Sequence, residues 1–198
     1  MNNQIFAAAA PLDSIVEFSF TQILLATGVV LIAVLALLTL FLFATNRRCR
    51  NEKQRAWWVR LLYVAFIGLV AVLGITSFAS LVNYDHLFGY ALLAHVGAAG
   101  AFVFLLLLIA CFYLPRGRDL LESETTGDNR WWLARLSAWL LVISSIVTAG
   151  TMFVSMLPIL DTAGLLEFAM LHRYAGLVVV VSAVVHVYAL CCTKLGLR

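Results

Sequence analysis

The sequence predicts an all-α integral membrane protein, a helical bundle of five transmembrane helices in which four form a core and the first stands outside it. Three observations predict this. Hydrophobic residues make up 64% of the 198 residues and charged residues only 12%, against about 45–50% and about 25% in soluble domains. The apolar residues fall into five uninterrupted runs, each long enough to cross the roughly 30 Å hydrocarbon layer as a helix. The basic residues are confined to alternate connections.

Taken in order, the expected spans are Ile15–Thr45, Trp57–Val82, Leu87–Leu114, Trp131–Leu157 and Leu165–Cys192. Backbone N–H and C=O groups find no partners in lipid, so each span must be a helix. The Val178–Val181 run favours a strand in water, but length and hydropathy outweigh that preference in a bilayer. The longest polar stretch, Pro115–Arg130, has 16 residues, too few for a separate soluble catalytic domain within these residues. The formal charge of +3 comes from scattered loop residues rather than a basic face, which argues against nucleic-acid binding.

Arg47, Arg48, Arg50, Lys53 and Arg55 crowd the first connection, Arg116, Arg118 and Arg130 the third, and Lys194 and Arg198 the end of the chain. The remaining connections and the N-terminal segment carry Asp13, Glu17, Asp85, Asp161 and Glu167 instead. The positive-inside bias then puts the N-terminus outside and the C-terminus in the cytoplasm, with the Trp57-Trp58 and Trp131-Trp132 pairs at the inner interface. The expected location is a bacterial inner (cell) membrane. The N-terminus does not read as a cleavable signal, because it lacks a basic start and Ala7–Ala10 precedes the apolar run. Cys49, Cys111, Cys191 and Cys192 all map to the cytoplasmic side, where thiols stay reduced.

Spans two and three resemble spans four and five. Trp57-Trp58 with Arg60-Leu61 answers Trp131-Trp132 with Arg135-Leu136; Phe78-Ala79-Ser80-Leu81 answers Phe153-Val154-Ser155-Met156; and His95-Val96-Gly97-Ala98-Ala99 answers His172-Arg173-Tyr174-Ala175-Gly176. A duplication of this kind relates two hairpins by an axis along the membrane normal. It makes His95 and His172 equivalent, facing each other at one depth. Residues 1–56 then form an added helix and a cytoplasmic basic loop, and 57–198 the four-helix domain.

All four histidines, His86, His95, His172 and His186, lie in or beside spans, where ionisable groups are costly and usually functional. His172 and His186 are 14 residues apart, which at 100° and 1.5 Å per residue returns to within about 40° of one face at a separation of about 21 Å. Two stacked haems in a helical bundle need that geometry. A zinc or di-iron site needs ligands a few residues apart and usually carboxylates or thiols, and no Asp or Glu lies mid-membrane. CxxCH is absent, so covalent haem attachment is not expected. Gly97, Ala98, Ala99 and Gly100 after His95, and Gly176 one turn after His172, would let a flat ring approach the backbone; equally, they suit small-residue helix packing. Arg173 could pair with a haem propionate or snorkel to the interface.

The stretch from Leu171-His172-Arg173-Tyr174-Ala175-Gly176 to Val185-His186-Val187-Tyr188 resembles the last ligand helix of the formate dehydrogenase gamma and cytochrome b561-type membrane cytochromes, and Gly89-Tyr90 through His95 resembles their other ligand helix. The resemblance covers about Trp57–Cys192. It implies a four-helix core holding haem b, electron transfer between quinone and a redox partner, and membership of a larger redox complex whose other subunits are its partners. In that family a second haem takes a ligand from the helix aligned with span two, where this chain has no histidine between Arg47 and Val82.

Two pairings remain open. His95 and His172 share one haem, leaving His186 as a packing residue or a ligand with an unusual partner; or His86 pairs with His172 and His95 with His186, giving two. Repeat, depth and family favour the first. Ser144, Ser145, Thr148 and Ser182 are candidate hydrogen-bond partners for the ligands' second ring nitrogen. A structural membrane subunit without cofactor is the alternative from another class, and a small-solute transporter a third.

Overall fold

The computed structural model describes residues 19–45, 57–84, 86–113 and 132–194. They form five helices: α1 (Phe20–Thr45), α2 (Trp57–Tyr84), α3 (Gly89–Tyr113), α4 (Trp132–Ser155) and α5 (Thr162–Lys194). All five are long and apolar enough to cross a membrane, and each agrees with an expected span to within a few residues. The basic first and third connections, Cys49, Asp13, Glu17, Asp85 and Arg198 lie outside the described residues.

Local chemistry sets the helix ends. Ser19 and Gln22 form a reciprocal capping box at the start of α1, with Gln22 N–H donating to Ser19 Oγ at 3.3 Å and Ser19 N–H to Gln22 Oε1 at 3.0 Å. Gly89 opens α3 with φ of +56°, a left-handed conformation that favours glycine. Asp161 caps α5 by accepting the Gly164 N–H at 2.8 Å, and Pro158, just beyond α4, cannot extend a helix.

The four later helices enclose a bundle in the cyclic order α2, α3, α4, α5. The α4–α5 hairpin packs tightly along its length and the α2–α3 hairpin somewhat less so, whereas the hairpins meet each other sparsely, α2 against α5 and α3 against α4. α3 and α5 thus lie on a diagonal. Their N-terminal ends share the side of the bundle where the two hairpins turn, called here the hairpin end; the opposite side is the open end. A cleft of about 510 Å³ separates parts of α2 and α5, lined by Ile67, Ala71, Phe78, Val184 and Val187 among others. The two helices close up at Gly74, where an added Cβ would sit 3.0 Å from Val180 Cγ2.

Lipid is as apolar as leucine, so packing and small residues, not expulsion from water, hold such helices together. α4 turns Ser137 and Thr151 toward α5, and these compact side chains permit the tight hairpin. The central core joins all four helices: Phe66 and Val70 from α2, Phe102, Leu106 and Ile109 from α3, Leu141 from α4, and Val179 and Ala183 from α5. Phe66 and Phe102 stack at 5.2 Å. α1 leans on α5 through a Thr39–Tyr188 hydroxyl hydrogen bond of 3.0 Å and a Phe20–Tyr174 edge contact of 5.2 Å. Most of its other residues are exposed.

Candidate functional site

Three of the four histidines are held in the same way. His172 Nδ1 lies 3.0 Å from the carbonyl of Thr148 and 3.2 Å from Thr151 Oγ1, both on α4. A carbonyl only accepts, so Nδ1 carries the proton, and the Thr151 hydroxyl donates to the same carbonyl at 2.8 Å. His186, about 21 Å further along α5, repeats the pattern one level down: Nδ1–H donates to the Ala134 carbonyl at 3.0 Å, with Ser137 Oγ also at 3.0 Å. His95 on α3 binds Thr76 Oγ1 of α2 through Nδ1 at 3.2 Å and reaches the Leu73 backbone.

The tether has a chemical consequence. An imidazole whose Nδ1–H is engaged by a carbonyl presents Nε2 as a lone pair, oriented and more basic than in a free ring; histidines that ligate metals are prepared in this way.

His95 and His172 stand on the two diagonal helices, each tethered to the preceding helix of its own hairpin. Between the hairpins there is little direct contact. Gly176, one turn beyond His172 and about 40° around the helix from it, has open space where a Cβ would be. Ala99 takes the matching place after His95. Gly97 and Gly100 lie 200° and about 140° around α3 from His95 and are exposed, so they face away from the imidazole. Ala98 and Ala99 are the small residues on its side.

Arg173 is exposed at the hairpin end, close enough to interact electrostatically with His172. His86 is exposed in the α2–α3 turn, its ring 5.2 Å from that of Phe88. His186 is half-buried, with the Tyr63 ring edge-on at 5.8 Å.

Of the expected tether partners Thr148 is met, through its carbonyl, whereas the hydroxyls come from residues that the sequence did not single out. Thr151 and Ser137, rather than Ser144, Ser145 or Ser182, supply the α4 hydroxyls. Ser144 turns back on its own helix, donating to the Leu140 carbonyl at 2.6 Å. Ser145 is fully buried. The signal was present: Thr-x-Phe-x-Ser occurs at Thr76–Ser80 and again at Thr151–Ser155, extending the recognised Phe-x-Ser match by the residue that holds each histidine.

Among the described residues no three of His, Cys, Asp and Glu come together, so a metal cage built from side chains alone is not formed there. One tethered imidazole from each hairpin suits a metal whose other ligands arrive with it, as the four ring nitrogens of a macrocycle do, and the chemistry of this donor pair fits such a group. The chain matches no protein-family model, and neither a curated protein nor a solved structure shows significant similarity to it.

Proposed function

We propose that this protein is a membrane-embedded b-type cytochrome subunit that passes electrons between the quinone pool and a redox partner within a larger complex, using one bis-histidine haem b held by His95 and His172. One observation carries the reading: the same hydroxyl-to-imidazole tether, 3.2 Å in both hairpins, occurs at Thr76–His95 and Thr151–His172. Thr76 and Thr151 are 75 positions apart and the histidines 77. Each hairpin thus prepares one histidine at the matching place of the repeat, as a pair of ligands to one group requires.

When bound, haem would supply a one-electron couple. The chain's residues do the rest. His95 and His172, one from each hairpin, would hold the group. Thr76, Thr151 and the Thr148 carbonyl fix both rings and raise ligand basicity, which favours the oxidised state. Gly176 and Ala99 keep the ring faces clear of larger side chains, and Arg173 offers a cation to a propionate at the hairpin end. The positive-inside pattern puts this end on the outer face of a bacterial inner membrane, with quinone reaching the site from the lipid.

The test is the colour of the purified protein. A Soret band and a sharp reduced α band are expected, lost in His95→Ala and His172→Ala. A colourless, folded sample produced with ample haem would overturn the reading and favour a structural subunit.

A further inference from the structure

We propose that the bundle is built for one haem only, at the hairpin end, and that Ile109 of α3 is the residue that closes a second site; this rests on the haem reading above. Both hairpins carry the tether at the hairpin end, and α4–α5 carries it again toward the open end, as Ser137–His186. The duplication identifies what α2–α3 holds at that lower level. Moving His186 back by the 77 positions that relate the upper histidines gives Ile109, and moving Ser137 back by the 75 that relate the threonines gives Leu62. An imidazole and its hydroxyl in one hairpin face a branched alkane and a leucine in the other.

The packing agrees. Ile109 is only 6% exposed and belongs to the core that includes Phe102, Leu106, Leu141, Val179 and Ala183. On α3 the core residues Phe102 to Ile109 lie about 10–21 Å below His95, and on α5 Val179 and Ala183 lie about 10–16 Å below His172. These core residues occupy the levels leading down to His186, beside the α2–α5 cleft that Val70 and Ala183 also line. His186 meets the Tyr63 ring instead and links the hairpins by contact.

The arrangement makes electron traffic one-sided. At 1.5 Å per residue, His172 is about 15 Å from the start of α5 and about 33 Å from its end. Tunnelling falls exponentially with distance, and no second cofactor relays charge through the apolar layer. Donor and acceptor therefore both approach the upper haem from the hairpin end or from the surrounding lipid at that level.

Haem-to-protein ratio, measured by pyridine haemochrome on the full chain, tests this. Wild type is expected at one, with His186→Ala unchanged. Leu62→Ser with Ile109→His is expected to rise to two and fall back to one when His186→Ala is added. Wild type at two haems, or His186→Ala losing half of the haem, overturns the proposal while leaving the haem reading intact. So does a double variant that keeps the first haem and gains none. If that variant cannot hold even the first, the wild-type and His186→Ala ratios decide. Wild type at zero overturns the haem reading itself.

Discussion

The α2–α3 and α4–α5 hairpins start from one pattern and part company halfway down. At the hairpin end each sets a threonine hydroxyl against an imidazole Nδ1 at the same 3.2 Å. Toward the open end α4–α5 keeps a polar tether at Ser137 and His186, while α2–α3 becomes apolar with Phe66, Phe102, Leu106 and Ile109. The difference lies in side-chain chemistry: a hydroxyl–imidazole pair where the two hairpins agree, and space-filling aromatic and alkyl groups where they part.

Removing either upper histidine breaks the comparison most severely. His95→Ala and His172→Ala are each expected to abolish haem binding in the reduced-minus-oxidised spectrum, and unequal losses would show that the hairpins do not contribute equally. The threonines come next. Thr76→Val and Thr151→Val remove the hydroxyl that steadies each ring and should each weaken haem retention about 10–100-fold, read by haem transfer to apomyoglobin, with Ser137→Ala leaving it unchanged. Gly74→Leu drives a side chain into Val180 where the hairpins come closest, and is expected to lower stability by about 1–2 kcal/mol in detergent unfolding. The smallest effect is at the periphery: Thr39→Val breaks the α1–α5 hydroxyl bond and should cost about 0.6 kcal/mol, seen as weaker cross-linking between α1 and α5 with haem content intact.

Much of this was legible from the chain alone. Hydropathy gave the number and order of helices, because bilayer thickness leaves few lengths for an apolar run. The repeat set His95 and His172 at matching places of two hairpins, and each carries an Nδ1 contact to a threonine of the preceding helix. The tethers were not read, because many hydroxyls line α4 and only their helical phase decides which one meets an imidazole. Ser144 and Thr151 are close in phase, but only Thr151 sits at the level of His172. Phase also misplaced Gly97 and Gly100, which are neighbours of His95 in sequence and not on its face. The point where the hairpins diverge was harder to see, because Leu62 and Ile109, which the repeat sets against Ser137 and His186, look like any other membrane residues.

The hydroxyls of α4 carry a consequence for biogenesis. With Ser137, Ser144, Ser145, Thr148, Thr151 and Ser155 along it, α4 has a mean hydropathy of 1.8, the lowest of the five spans, against 2.9 for α1 and 2.3 for α5. Several of these side chains satisfy themselves on carbonyls of their own helix, which lowers the penalty of entering lipid without removing it. α4 is therefore costlier to insert alone than α1. Its route into the bilayer is as half of a hairpin with α5, and in a translocation assay α4 by itself should be retained less efficiently than α1, with α5 restoring the yield.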